Sequence, residues 1–126
     1  MMKNITVGWF EIPVADMERA MTFYEKVFDC KLDRQPIGPL DMAWFPWDDS
    51  GKGAGGSLVK YDEFYKPSAD GVQVYFSSED VETEIHKVAA AGGKILSFKK
   101  EIAPGIGFMA LFLDTEGNRI ALHSNK

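Results

Sequence analysis

Asp16-Met-Glu-Arg-Ala-Met21 and Asp80-Val-Glu-Thr-Glu-Ile85 are one helix start written twice. Each opens on an Asp suited to an N-cap and continues with apolar residues at helical spacing. After the first, Met17, Ala20, Met21, Tyr24, Val27 and Phe28 predict an amphipathic helix over residues 16–28. After the second, the apolar face is Val81, Ile85, Val88 and Ala89, and Gly92-Gly93 terminates it. The starts lie about 64 residues apart, a spacing that marks an internal repeat.

Working outward, each helix sits in the same frame. A strand over Thr6 to Pro13 precedes the first helix. Lys31 to Gln35, Asp41 to Trp47 and Gly55 to Tyr61 follow it, with Pro36-Ile-Gly-Pro39 as the first turn. Gly71 to Ser77 precedes the second helix; Lys94 to Lys100, Phe108 to Leu113 and Arg119 to His123 follow. Each half is too small for its own core, so the halves must share one. The predicted fold is α+β: two tandem βαβββ modules forming a curved mixed sheet around a concave cavity, with the helices on the outer face. One domain over residues 1–126 is expected, its modules at about 5–61 and 71–124.

Composition narrows the function. The 126 residues carry a net charge of −5, which argues against nucleic acid as a partner, since that needs a basic stripe. No apolar run approaches membrane-spanning length, and the N-terminus lacks a signal-peptide pattern, so a cytoplasmic location is expected. Two His (His86, His123) and one Cys (Cys30) exclude a zinc finger or a three-His site. Gly51-Lys-Gly53-Ala-Gly55-Gly56 matches a dinucleotide fingerprint in letters. It leads into a strand rather than a helix, so it reads as a hairpin loop that can rim a cavity.

The arrangement resembles the vicinal oxygen chelate superfamily, which includes glyoxalase I, extradiol dioxygenases and the bleomycin and fosfomycin resistance proteins. The residues that carry the resemblance are Glu11-Ile-Pro-Val14-Ala-Asp16, Phe23-Tyr24-x-x-Val27-Phe28, Val74-Tyr-Phe76-x-x-x-Asp80-Val, Ala90-Ala-Gly92-Gly93-Lys94 and Phe112-Leu-Asp114-x-x-Gly117-Asn-Arg-Ile120. Asp29 departs from the family, which has Gly after the first helix. The resemblance implies four metal-ligand positions on the concave face. Here they fall on Trp9, on Ser57 or Leu58, on Gln73, and on Ala121 of Ile120-Ala121-Leu122. At most Gln73 keeps an oxygen of the expected kind, with Ser57 a poor second, so no metal and no cofactor are expected.

Strand alternation maps the same cavity. Phe10 and Ile12 face one way on the first strand; Val7, Trp9 and Glu11 face the other. Val72, Val74 and Phe76 form an apolar set suited to packing under a helix, with Gln73, Tyr75 and Ser77 opposite. On the last strand Ile120 and Leu122 oppose Arg119, Ala121 and His123. The pattern leaves open which of Trp44, Phe45 and Trp47 point inward. Ligand-contact candidates are Trp9, Trp44, Gln73, Tyr75 and Arg119; acid–base candidates are Glu11 and His123. Cys30 reads as structural and His86 as exposed.

Three functions compete. The first is a small-molecule-binding protein of the glyoxalase/bleomycin resistance type without the family metal, taking a small apolar or aromatic ligand as a homodimer. The second is a glyoxalase-like lyase, isomerase or dioxygenase with a divergent or metal-free site. The third is an interaction module, for which no tail or isolated motif speaks.

Overall fold

Asp16 and Asp80 both cap helices in the computed structural model, which describes residues 3–49 and 51–126. Met1, Met2 and Ser50 lie outside the described residues, and with them part of the 48–53 turn and of the N-terminal reading. The Asp16 carboxylate accepts from Arg19 N at 3.1 Å, and the Asp80 carboxylate from Glu82 N at 3.0 Å. Such caps satisfy N–H groups that have no partner inside the helix. Helix α1 spans Met17–Phe28 and α2 spans Val81–Val88. Asp29 ends α1 in the left-handed region, φ 51° and ψ 57°, where Asp serves in place of Gly.

The first module is β1 (Trp9–Pro13), α1, β2 (Asp33–Ile37), β3 (Leu40–Trp44) and β4 (Gly55–Lys60). The second is β5 (Val74–Ser77), α2, β6 (Lys94–Ala103), β7 (Gly107–Leu113) and β8 (Arg119–Ser124). Each forms a four-stranded sheet, in order β1-β4-β3-β2 and β5-β8-β7-β6. In each, the strand before the helix pairs parallel with the last strand: Ile12 opposes Leu58, and Phe76 opposes Leu122. The repeat therefore survives in the register itself. The α+β reading with two βαβββ modules holds, but the sheet is two ladders rather than one continuous surface.

Some boundaries differ. β1 starts at Trp9 rather than Thr6, because Thr6 to Gly8 are exposed and pair with no strand. β2 runs through Pro36 to Ile37, since it is an edge strand and its ladder to β3 continues to Leu40. An edge tolerates a Pro whose missing N–H faces solvent. Val72 does not pack under a helix: it precedes β5 and is 97% exposed. Ala89 is likewise exposed at the end of α2.

One apolar core joins the modules. Phe23, Tyr24 and Val27 of α1 are fully buried with Ile85 and Val88 of α2 and with Phe112 and Leu122 of the second sheet. Burial of each such side chain contributes about 1.5–3 kcal/mol. A polar staple runs beside it. The Tyr24 hydroxyl donates to Asp114 Oδ2 at 2.7 Å, and Asn118 Nδ2 donates to Pro13 O at 2.7 Å. The turn 114–118 of the second module is thereby fastened to β1 and α1 of the first.

Candidate functional site

β1 and β5 are edge strands of separate sheets, and between them lies a cleft of about 820 Å³. Its floor is aromatic. Phe10 of β1 meets Phe76 of β5 edge-on at 5.6 Å, and Phe28 and Phe45 complete the cluster. Alternation places Phe10 and Phe76 on the helix side of their strands. They reach the cleft because no ladder closes the gap between β1 and β5.

The walls are built by small residues that yield to large ones. A Cβ on Gly56 would lie 2.3 Å from the Phe10 ring. A Cβ on Gly55, on the opposite face, would lie 3.3 Å from both the Trp9 and Trp47 rings. The two indoles therefore flank Gly55 at the cleft mouth. The loop between β3 and β4 carries Trp47 there, together with Lys52, Gly53 and Ala54. This resolves the third-strand aromatics. Phe45 faces the core and the cleft floor, Trp47 stands at the rim, and Trp44 backs Trp9 edge-on at 5.4 Å.

Of the seven candidate residues, Trp9, Glu11, Gln73 and Tyr75 line the cleft. Trp44 and Arg119 stand directly behind the lining. Arg119 Nε donates to Gln73 Oε1 at 2.7 Å. His123 is not brought to Glu11: its Nε2 lies 2.8 Å from Ile106 O, away from the lining residues. The Tyr65 hydroxyl hydrogen-bonds the Glu11 carboxylate, and this bond, with burial, raises the phenol's pKa. The segment joining the modules is thus tied to β1.

Register also separates Ser57 from Leu58. Leu58 opposes Ile12 in the core, whereas Ser57 opposes Glu11 on one side and Trp44 on the other. Ser57 is fully buried, and neither its hydroxyl nor Trp44 Nε1 has a hydrogen-bond partner among the described residues. Cys30 lines the cleft beside Phe28. Burial, with Glu25 and Asp29 nearby, raises its thiol pKa and keeps it from acting as a thiolate. Among the described residues, no three His, Cys, Asp or Glu side chains converge as a metal-binding group.

A second depression, about 630 Å³, lies at Pro39, Asp41 and Lys60 to Glu63. Its charges already pair, Asp41 with Arg34 at 2.6 Å and Asp62 with Lys60 at 3.2 Å. It lacks the aromatic floor of the first. No helix among the described residues is long and apolar enough to cross a membrane.

Sequence reasoning missed Phe10, Phe28, Phe76 and Cys30 as cleft residues and left Phe45 and Trp47 open. The available signal was the duplication itself: two like modules leave two like edges, and a seam between edges is a place for a ligand.

The chain matches the Glyoxalase/Bleomycin resistance protein/Dioxygenase superfamily over residues 6–122, and it belongs to that superfamily. A glyoxylase-like domain-containing protein of Didymella fabae is 30% identical over 119 residues, covering 92% of this chain and 91% of that one. Among solved structures it is similar to TnmS3, an antibiotic binding protein from Streptomyces sp. CB03234. That match has a TM-score of 0.70 and 27% identity, and covers 100% of both chains. Glyoxalase I from Zea mays matches 93% of this chain at 27% identity and TM-score 0.67, and this chain spans 45% of it.

Proposed function

We propose that the protein is a metal-independent binder of small apolar or aromatic molecules, held in the cleft between β1 and β5. One observation carries this reading: Arg119 donates to the Gln73 side-chain carbonyl at 2.7 Å. Of the positions where the family places metal ligands, Gln73 has the one amide oxygen, and a guanidinium already occupies it. A fixed positive charge beside a candidate ligand opposes a divalent cation. Trp9 and Ala121 have no donor atom to offer, and a neutral Ser57 hydroxyl is a weak ligand. The donor set does not fit the family metal.

The aromatic floor and the Trp9–Trp47 mouth suit a flat apolar guest. Similarity to TnmS3 over the full length of both chains agrees with a binding role. A glyoxalase-like reaction using Glu11 and His123 is the weaker reading, because one substrate would have to reach both. A second copy of the chain covering a sheet edge belongs to this reading. β6 is such an edge and leaves Leu96 and Phe98 exposed.

The test combines calorimetric titration with Zn²⁺, Ni²⁺ and Mn²⁺, a thermal-shift screen of planar aromatics, and light scattering. The expected outcome is no stoichiometric metal, and stabilisation of roughly 2.7 kcal/mol by a hit at 100 times its Kd. A stoichiometric ion that Gln73→Ala abolishes overturns the reading.

A further inference from the structure

Resting on the binding reading above, we propose that the cleft selects planar aromatic molecules bearing an anionic oxygen, such as a carboxylate, and that Arg119 and Gln73 read that oxygen.

The repeat makes the two ends of the cleft comparable. In the first module Trp9 of β1 opposes Gly55 of β4. In the second, the corresponding neighbours are Gln73, just before β5, and Arg119, the first residue of β8. One end of the cleft is therefore an indole over a glycine. Its counterpart is a carboxamide held by a guanidinium.

The Arg119–Gln73 bond fixes the amide's orientation. Its oxygen is engaged, so its nitrogen, with two N–H donors and no partner among the described residues, is presented at the cleft wall. Arg119 spends one N–H on Gln73 and has no carboxylate within ion-pair distance among the described residues. The rest of its fork is available to an oxyanion.

Local charge points the same way, against the chain's net −5. Glu11 is the lining's carboxylate, and the Tyr65 hydroxyl already engages it. Lys52 stands at the rim without an ion-pair partner among the described residues. Asp48 and Asp49 share its loop but do not line the cleft. A guest entering between the indoles thus meets the Lys52 ammonium and one occupied carboxylate, with the Arg119 guanidinium directly behind Gln73.

The test is calorimetric titration of the whole chain with two isosteric probes, naphthalene-2-carboxylate and 2-naphthamide. The carboxylate is expected to bind about tenfold more tightly, a difference of about 1.4 kcal/mol. Arg119→Met should abolish the preference for the carboxylate over the amide; Arg119→Lys should keep part of it. Trp47→Ala should weaken both probes equally. The probe pair on the unaltered protein decides even if a variant fails to fold. Equal affinities, or tighter binding of the amide, with both dependent on Trp47, overturn anion selection and leave the binding reading standing. A preference that survives Arg119→Met overturns the role of Arg119. Absence of binding by either probe, or binding indifferent to Trp47→Ala, overturns both readings.

Discussion

The Arg19 guanidinium and the Glu116 carboxylate meet in a two-bond fork, Nε to Oε2 at 2.8 Å and Nη2 to Oε1 at 2.9 Å. The same Oε1 accepts from Ala15 N at 2.9 Å and Asp16 N at 2.8 Å. A turn of the second module thereby closes the first turn of the helix in the first. Burial alone would raise the pKa of Glu116. The Arg19 fork and the backbone N–H groups outweigh it and hold that pKa at about 2, below the ordinary 4.5.

Because the folded value lies below the unfolded one, this stabilisation is complete above pH 4.5 and is lost as pH falls toward 2. Discounted for the exposure of Arg19, it is worth about 2 kcal/mol. Urea unfolding should show Glu116→Gln less stable than the parent by about that much at pH 7. The gap should narrow steadily between pH 4.5 and 2. An equal gap at pH 7 and pH 2 would assign the loss to packing instead.

Gly56→Ala should destabilise the fold by about 2–3 kcal/mol, because its Cβ would sit 2.3 Å from the Phe10 ring. Phe10→Leu in the same chain should recover more than half of that loss. Chemical denaturation of the two single variants and the double variant measures the coupling. Additive losses would mean that something other than the ring opposes the methyl group.

Ser57→Ala should leave the protein as stable or raise its stability by about 1 kcal/mol, since a buried hydroxyl without a partner costs desolvation and returns nothing. Equilibrium unfolding measures it. A loss of about 1 kcal/mol or more would show that the hydroxyl has a partner in solution.

Gly55→Ala separates binding from folding. Its Cβ would meet both the Trp9 and Trp47 rings at 3.3 Å, a contact that the rim indole relieves by moving outward. Stability should change by less than about 1 kcal/mol. Affinity for a planar aromatic probe should fall about fivefold to tenfold, read by calorimetry on the variant and the parent.

The helices were legible because their evidence is local: an Asp cap, a 3.6-residue period, and Asp29 or Gly92 at the stop. The repeat was legible because it recurs in order and spacing. Trp9, Glu11, Gln73 and Tyr75 followed from two-residue alternation along a strand, and all four line the cleft. Phe10 and Phe76 did not, because alternation assigns a residue to a face and says nothing about a gap between two sheets. Trp47 was ambiguous for a related reason. β3 ends at Trp44, and beyond a strand's end the alternation rule no longer applies. The Arg119–Gln73 bond needed the parallel register of β5 on β8, which joins residues far apart in the chain.

The two connections that precede the last strand of each module hold equivalent positions in the repeat. The short one, residues 114–118, now grips the opposite module through Glu116 and Asn118. The long one, from Phe45 to Ala54, lays Phe45 against Phe76 of the opposite module and carries an indole and a lysine to the cleft mouth. The short turn fastens the modules together, and the long one shapes the mouth of the cleft between them. New ligand preferences can arise by rewriting the long turn while the short one keeps the scaffold intact.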